Sequence, residues 1–237
     1  MQNNFTIEQV RNYWNKAFFK YDKAHKNIHE THHQRFKQGL EYLDLKSNNK
    51  VLNIWSRTGE AVPYLREKCS GIDLINCEVS DEFIKKSKKD FPSEVFEQTD
   101  LTILNFPDNY FDFVLSLETL EHCPCPSCFL KEVFRVLKPN GTLVMSLPPA
   151  VLEWHFKIYT FIFNDHGEGP HKFLSSKKVK TLLKEVNFEL LLDKGTLLFP
   201  IGPKFFRNWG EKIIQKFQKT FIREFGVRQF YVAKKLN

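Results

Sequence analysis

From residue 50 to residue 148, short apolar runs alternate with polar, lysine-rich stretches. VLNIW (51–55), IDLINCE (72–78), VFEQ (95–98), FDFVLSLE (111–118) and TLVMSLP (142–148) read as strands. Between them, a stretch from about Gly59, SDEFIKKSKKD (80–90) and FLKEVFRVL (129–137) carry the three- and four-residue spacing of helices. Parallel neighbours need a crossover of a dozen or more residues, usually a helix, so this alternation predicts a doubly wound α/β domain with a mostly parallel sheet.

The two ends differ from this middle. Val10, Tyr13, Trp14, Ala17 and Phe18 recur at helical spacing, and a second pattern runs from about Ala24 to Tyr42, which predicts an N-terminal helical cap over residues 1–49. The main domain is expected over 50–237. Beyond Pro149 come an apolar segment (151–163), a turn-like DHGEGPHKF (165–173), a helix near SSKKVKTLLKEV (175–186) and a strand near FELLLDKGTLLF (188–199). The long segment 203–225 and a last strand, VRQFYVAKK (227–235), complete the chain. Two strands separated by an insert predict an antiparallel pair at the sheet edge, with 151–173 and 203–225 as inserts.

At 237 residues, 42% hydrophobic and 27% charged, the chain can bury one sizeable core, which excludes a disordered chain or a mini-protein. No apolar run approaches the roughly 20 residues that span a bilayer, and the first residues lack the order of a signal peptide. A cytoplasmic protein with five free thiols is the expectation. Residues 204–237 hold nine Lys and Arg against Glu211 and Glu224, which accounts for the whole net charge of +7. A charge confined to one element predicts a local docking surface rather than a broad nucleic-acid face, and no DNA partner is expected.

In an open parallel sheet, ligands bind outside the carboxyl ends of the strands where strand order reverses. Asn53 to Gly59 joins the first strand to a helix, where glycines ordinarily let backbone N–H groups approach a ligand. Glu78 ends the second strand and can accept from both hydroxyls of a ribose. Asp100 follows the third strand, and Ser116 to His122 follow the fourth.

On these residues, and on FEQTDLTILNFPDNYFDFVLSLETLEHCPCP followed by EVFRVLKPNGTLVMSLP, residues 50–150 resemble the core of a class I S-adenosylmethionine-dependent methyltransferase. The resemblance implies a Rossmann-like, mostly parallel seven-stranded sheet with an antiparallel edge strand. It implies S-adenosylmethionine held by Asn53, Trp55, Ser56, Arg57 and Gly59, with Glu78 and Val79 at the ribose and Asp100 and Leu101 at adenine. Ser116 and the cap residue Tyr21 complete that expected set. The loop departs from the family pattern, since Trp55 and Arg57 stand where glycines are usual. Either the indole stacks on the ligand and Arg57 faces its carboxylate, or both side chains fill the pocket.

Glu118, Glu121 and His122 resemble the E-x-x-E-H stretch of ubiquinone-biosynthesis O-methyltransferases, which implies Mg²⁺ there; a helix start with partly exposed acids is the alternative. His122, Cys123, Cys125 and Cys128 offer soft ligands at a spacing unlike a standard zinc finger. His25, His29, His32 and His33 lie at roughly helical spacing, either at the mouth of the site or on a polar helix surface. His166, Glu168 and His171, in a loop shaped by glycines and a proline, are the expected catalytic residues, a histidine taking the proton of an attacking hydroxyl. Phe205, Trp209, Ile213, Phe217 and Phe221 recur every four residues, so 203–225 is expected to be one basic amphipathic helix. That helix either packs on its domain or lies on an anionic membrane surface.

The expected function is methyl transfer to a small, partly apolar acceptor, at oxygen. A non-catalytic methyltransferase-fold scaffold with a blocked pocket is the alternative, and an RNA methyltransferase a third. Against the last, no RNA-binding module is recognisable.

Overall fold

The computed structural model describes residues 2–25, 29–153, 169–196 and 203–236. One sheet runs through the molecule. Its strands are β1 (Lys50–Ile54), β2 (Asp73–Glu78), β3 (Val95–Gln98), β4 (Phe111–Leu117), β5 (Leu137–Leu147), β6 (Phe188–Thr196) and β7 (Arg228–Lys235). Their order is β3-β2-β1-β4-β5-β7-β6. Pairs from β3 to β5 are parallel, and β7 runs antiparallel to both β5 and β6. The reversed strand therefore sits one position in from the edge. Strand order reverses between β1 and β4, which makes the ends of these two strands the crevice where a ligand is expected.

The helices between the strands follow local rules. In α4 (Asp81–Asp90), the Ser80 side chain accepts from the Phe83 N–H, acids fill the first turn and lysines the last, matching the helix dipole. Pro126 opens α5 (Pro126–Val136), where a missing N–H costs nothing. α3 (Val62–Lys68) follows β1, and α6 (Ser176–Glu185) is capped by Ser175.

Alternating side chains of each strand feed two cores, one per sheet face. Leu52 and Ile54 pack with Phe83, Phe129 and Val133 on one face; Val51 packs with Leu65, Leu74 and Leu115 on the other. The cap divides between them. α1 (Ile7–His25) adds Val10 and Trp14 to the first core, and α2 (His29–Glu41) adds Phe36 and Leu40 to the second.

Two expectations are corrected, and one falls outside the described residues. The segment 203–225 is not one helix: α7 (Lys204–Lys216) ends at Phe217, and after Thr220 a short 3₁₀ turn covers Phe221–Phe225. Thr220 breaks the run because its hydroxyl accepts from the Ile222 N–H and starts the new turn. Cys125 and Cys128 form a disulfide rather than staying free, since the first turn of α5 brings residues three apart together. Cys69, Cys77 and Cys123 are free thiols. Finally, the side chains of His25, His29, His32 and His33 lie outside the described residues, as do His166 and Glu168.

Candidate active site

The loop after β1 has the backbone of a glycine-rich turn and the side chains of something else. Trp55, Arg57 and Gly59 all adopt positive φ, at 65°, 52° and 79°. For Gly59 this is obligatory twice over, because a Cβ would also stand 2.8 Å from the Phe91 ring. For Trp55 and Arg57 the left-handed conformation is strained, and the environment must hold it.

It does so with aromatic rings. The Trp55 indole stacks on the His122 imidazole, centroids 5.2 Å apart and planes 9° apart, and meets Trp14 edge-on at 6.1 Å. The Arg57 guanidinium lies 3.7 Å from the centre of the Trp14 ring and 4.4 Å from that of Trp55, with Tyr21 and Phe83 further out. Its Nη1 is buried with no hydrogen-bond partner. Trp55 is 4% and Arg57 7% exposed, so both occupy the trough that the loop would otherwise leave open. A cavity of about 20 Å³ lies beside Asn53, Trp55, Arg57, Arg35 and Glu118. That is room for about one water.

Glu78 ends β2 fully buried. Its Oε2 accepts from the Arg57 N–H at 2.7 Å, and its Oε1 from those of Val79 and Ser80 at 2.8 and 3.0 Å. Burial raises its pKa, and the nearby Arg57 charge and these N–H groups pull the other way. Asn53 is fixed by a bond from its Nδ2 to Asn76 on the neighbouring strand. Asp100 is half-buried and accepts from both the N–H and the hydroxyl of Thr102, while Leu101 is core. The hydroxyls of Ser56 and Ser116 are buried without partners.

The residues expected to hold a metal do not form a cluster. Glu118, at positive φ after β4, is clamped by two arginines: Arg35 reaches its Oε2 at 2.6 Å, and Arg228 its Oε1 at 2.6 and 2.7 Å. Arg35 also pairs with Glu60 at 2.6 Å, and Tyr21 donates to Glu60 at 3.0 Å. The sequence-predicted ligand is therefore an anchor for the cap and the last strand. Tyr21 belongs to this network too. Glu121 is buried, and His122 places Nδ1 2.9 Å from the Pro170 carbonyl, with burial first and Arg57 second lowering its pKa to about 3. Among the described residues, no group of three acidic, histidine or cysteine side chains is placed to hold a metal ion.

Of the expected catalytic residues, His171 is described. It lies 6.3 Å from His122, centroid to centroid, and its Nδ1 is 2.8 Å from the Gly169 carbonyl. Lys172 N–H bonds the Glu121 carbonyl, and Gly169 lies where any Cβ would strike Tyr13. The loop is thus seated between the cap and the segment after β4.

Arg35, Glu60, Arg228 and Trp14 were not singled out from sequence. Trp14 reads as one more residue of an apolar stripe, and the three charged residues are far apart in the chain. The positions of Arg35 and Arg228 carry no local pattern.

A parallel sheet with its ligand loop at the β1/β4 reversal and acids after β2 and β3 defines a Rossmann-like protein of the methyltransferase type. A family model described as "Methyltransferase domain" matches residues 52–145. A demethylmenaquinone methyltransferase of Paenarthrobacter aurescens is 33% identical over 124 residues, 51% of this chain and 47% of the relative. A ubiquinone/menaquinone biosynthesis C-methyltransferase of Rickettsia bellii is 25% identical over 171 residues, 60% of this chain and 69% of the relative. The chain thus spans about half the length of the first relative. Among solved structures, an S-adenosylmethionine-dependent methyltransferase of Thermotoga maritima superposes with a TM-score of 0.69 at 17% identity, covering 95% of this chain and 99% of that one. The [4+2]-cyclase SpnF superposes with a TM-score of 0.64 at 15% identity, covering 86% and 80%. The methyltransferase-domain model thus covers residues 52–145, and the solved structures share the Rossmann-like fold of the whole described sheet.

The family implies S-adenosylmethionine, and the residues present fit it in part. The loop backbone, Glu78 and Asp100 stand where the family's cofactor residues are expected. The side chains of Trp55 and Arg57 do not fit, because they take the volume a ligand needs.

Proposed function

We propose that this protein is an S-adenosylmethionine-dependent methyltransferase acting on a small, partly apolar acceptor, at oxygen, and that its cofactor site is closed until Trp55 and Arg57 withdraw. The observation that supports an enzyme is the retained loop conformation. Positive φ at residues 55 and 57 costs roughly 1–2 kcal/mol each for side-chain-bearing residues, and it keeps the N–H of Arg57 on Glu78. When bound, the cofactor would supply an electrophilic methyl group. Glu78 and the loop N–H groups would hold it, with Asp100 alongside. Relatives named for demethylmenaquinone and for 2-methyl-6-phytyl-1,4-hydroquinone methylation support a partly apolar acceptor; a relative named for phosphoethanolamine supports small acceptors more broadly.

His171 is suited to the proton transfer. Its Nδ1 lies against the Gly169 carbonyl, which fixes the ring's orientation beside His122. His122 is not suited: burial holds it neutral down to about pH 3, so it is too weak a base.

A second reading rests on the filled trough itself. With a cavity of about 20 Å³ beside the loop and Glu78 already satisfied by three backbone donors, the fold would serve as a non-catalytic scaffold. Calorimetric titration with S-adenosylhomocysteine tests the choice. Binding by the wild type, lost in Glu78→Ala, supports the enzyme. No binding at millimolar ligand by either the wild type or a Trp55→Gly/Arg57→Gly variant refutes it and leaves the scaffold.

A further inference from the structure

We propose that the outward face of α7 and the turn after it form a docking surface for an anionic lipid membrane. The inward side of this insert is fully accounted for. Ile214 is completely buried, Gly226 sits where a Cβ would meet the Thr196 carbonyl at 2.5 Å, and the Gln218 side chain makes two hydrogen bonds with the Gly195 backbone. Gln34 of α2 bonds Glu211. Arg223 pairs with Asp193 of β6 at 2.8 Å.

The insert also carries aromatic side chains that are exposed. Phe205 and Phe221 are each 74% exposed, Trp209 55% and Phe225 50%. Phe206 leans on Trp209, and Phe221 on Phe225, with ring centroids about 6 Å apart. Isolated exposed apolar residues are ordinary, but five exposed aromatics within one 21-residue insert, two pairs of them in ring contact, are of the kind that marks an interaction site. Helical spacing puts Phe205, Trp209, Lys212 and Lys216 on one side, all exposed, and exposed Lys219 follows.

This combination selects the occupant. Phenylalanine has no polar handle, so it gains by leaving water for hydrocarbon, whereas lysine gains beside anionic headgroups. Apolar and cationic side chains side by side on a convex helix describe an interfacial element. Charge complementarity agrees, since Lys212, Lys216 and Lys219 are exposed beside the rings. Each lysine near such a surface strengthens binding roughly fivefold, so Lys212, Lys216 and Lys219 together supply on the order of a hundredfold. A single-stranded RNA would also accept aromatic rings and lysines, but it requires rings arrayed along a groove that tracks the backbone.

Sedimentation of the full chain with phosphatidylcholine vesicles, and with vesicles containing phosphatidylglycerol, tests the surface at low and physiological salt. The expected result is binding to the anionic vesicles at least tenfold stronger than to neutral ones, weakened by salt. Phe205→Ser/Trp209→Ser and Lys212→Glu/Lys216→Glu should each reduce it tenfold or more. Both pairs are exposed, and unchanged circular dichroism and melting temperature verify that each variant is folded. Equal and negligible binding to both vesicle types overturns the proposal. So does binding of a single-stranded oligonucleotide without vesicle binding, or vesicle binding unmoved by both variants.

Discussion

Replacing Trp55 and Arg57 by glycine should open the cofactor site, and the size of the effect can be worked from the contacts that hold the site closed. Arg57 is desolvated against the Trp14 and Trp55 rings at 3.7 and 4.4 Å, which is worth about 2 kcal/mol. The Trp55–His122 stack at 5.2 Å adds about 1 kcal/mol beyond its buried area. Withdrawing both side chains therefore costs about 3 kcal/mol, so roughly one molecule in 150 is open. The apparent affinity for S-adenosylhomocysteine is weakened by that same factor, and the double variant should bind on the order of a hundredfold more tightly. Its stability should move the other way, because losing a buried indole costs about 3–5 kcal/mol, while glycine at two left-handed positions recovers on the order of 2 kcal/mol. With the roughly 2 kcal/mol of lost Arg57–ring contact added, a net loss of roughly 3–5 kcal/mol, partly restored by ligand, is expected. Isothermal titration calorimetry measures the first effect and chemical denaturation with and without ligand the second. Weaker binding in the variant than in the wild type would refute the reasoning, for it would mean that the indole and guanidinium touch the ligand rather than exclude it.

Three further outcomes follow from the same contacts. Arg35→Met leaves the half-buried Glu60 and Glu118 carboxylates without the cation that bridges them at 2.6 Å, so stability should fall by about 2–3 kcal/mol in urea denaturation; a change below about 1 kcal/mol would show that the pairs are not what holds the cap. His122 has a folded pKa near 3, below the unfolded value of about 6.5, so the unfolded chain binds the extra proton first. Stability should be full above about pH 6.5 and decline progressively as pH falls toward 3, and His122→Asn should flatten that part of the urea-midpoint profile. Because Glu118 is clamped by Arg35 and Arg228, millimolar Mg²⁺ should leave the melting temperature unchanged; a rise of several degrees would restore the three-residue metal site.

The sheet was legible because each strand and helix announces itself locally. VLNIW and FDFVLSLE are apolar runs bounded by polar residues, and SDEFIKKSKKD carries its cap and its charge order within eleven residues. Glu78 and Asp100 were legible for a related reason, since their places follow from the ends of strands. What the sequence did not contain was pairing across distance. Arg35, Glu118 and Arg228 meet only because α2, the end of β4 and the start of β7 converge, and no spacing in the chain encodes that. Glu118 was misread for this reason: E-x-x-E-H suggests a metal as long as nothing else is known to claim the carboxylate. The insert 203–225 failed differently. Its four-residue apolar spacing is genuine, but Thr220 starts a new turn, and Ile214, not Ile213, faces the core.

The cap and the closed trough are mechanically one object. Trp14 of α1 lies directly over the Arg57 guanidinium, so Arg57 cannot leave unless α1 shifts or the indole rotates. Two of the bonds that hold α1 down end beside Glu78: Arg11 donates to the Val79 carbonyl, and the Ser80 hydroxyl donates to Asn15 at 2.6 Å. Val79 and Ser80 are also the residues whose N–H groups satisfy the Glu78 carboxylate. Any ligand that draws Glu78 toward itself must therefore disturb the peptide groups to which the cap is tied. Conversely, a lifted cap frees Arg57 and exposes Glu78 in the same movement. Ligand entry and cap release are coupled through Val79 and Ser80, so Asn15→Ala, which touches neither trough nor ligand, should strengthen S-adenosylhomocysteine binding. Calorimetry showing the same affinity in Asn15→Ala and the wild type would mean that the cap moves independently of the site.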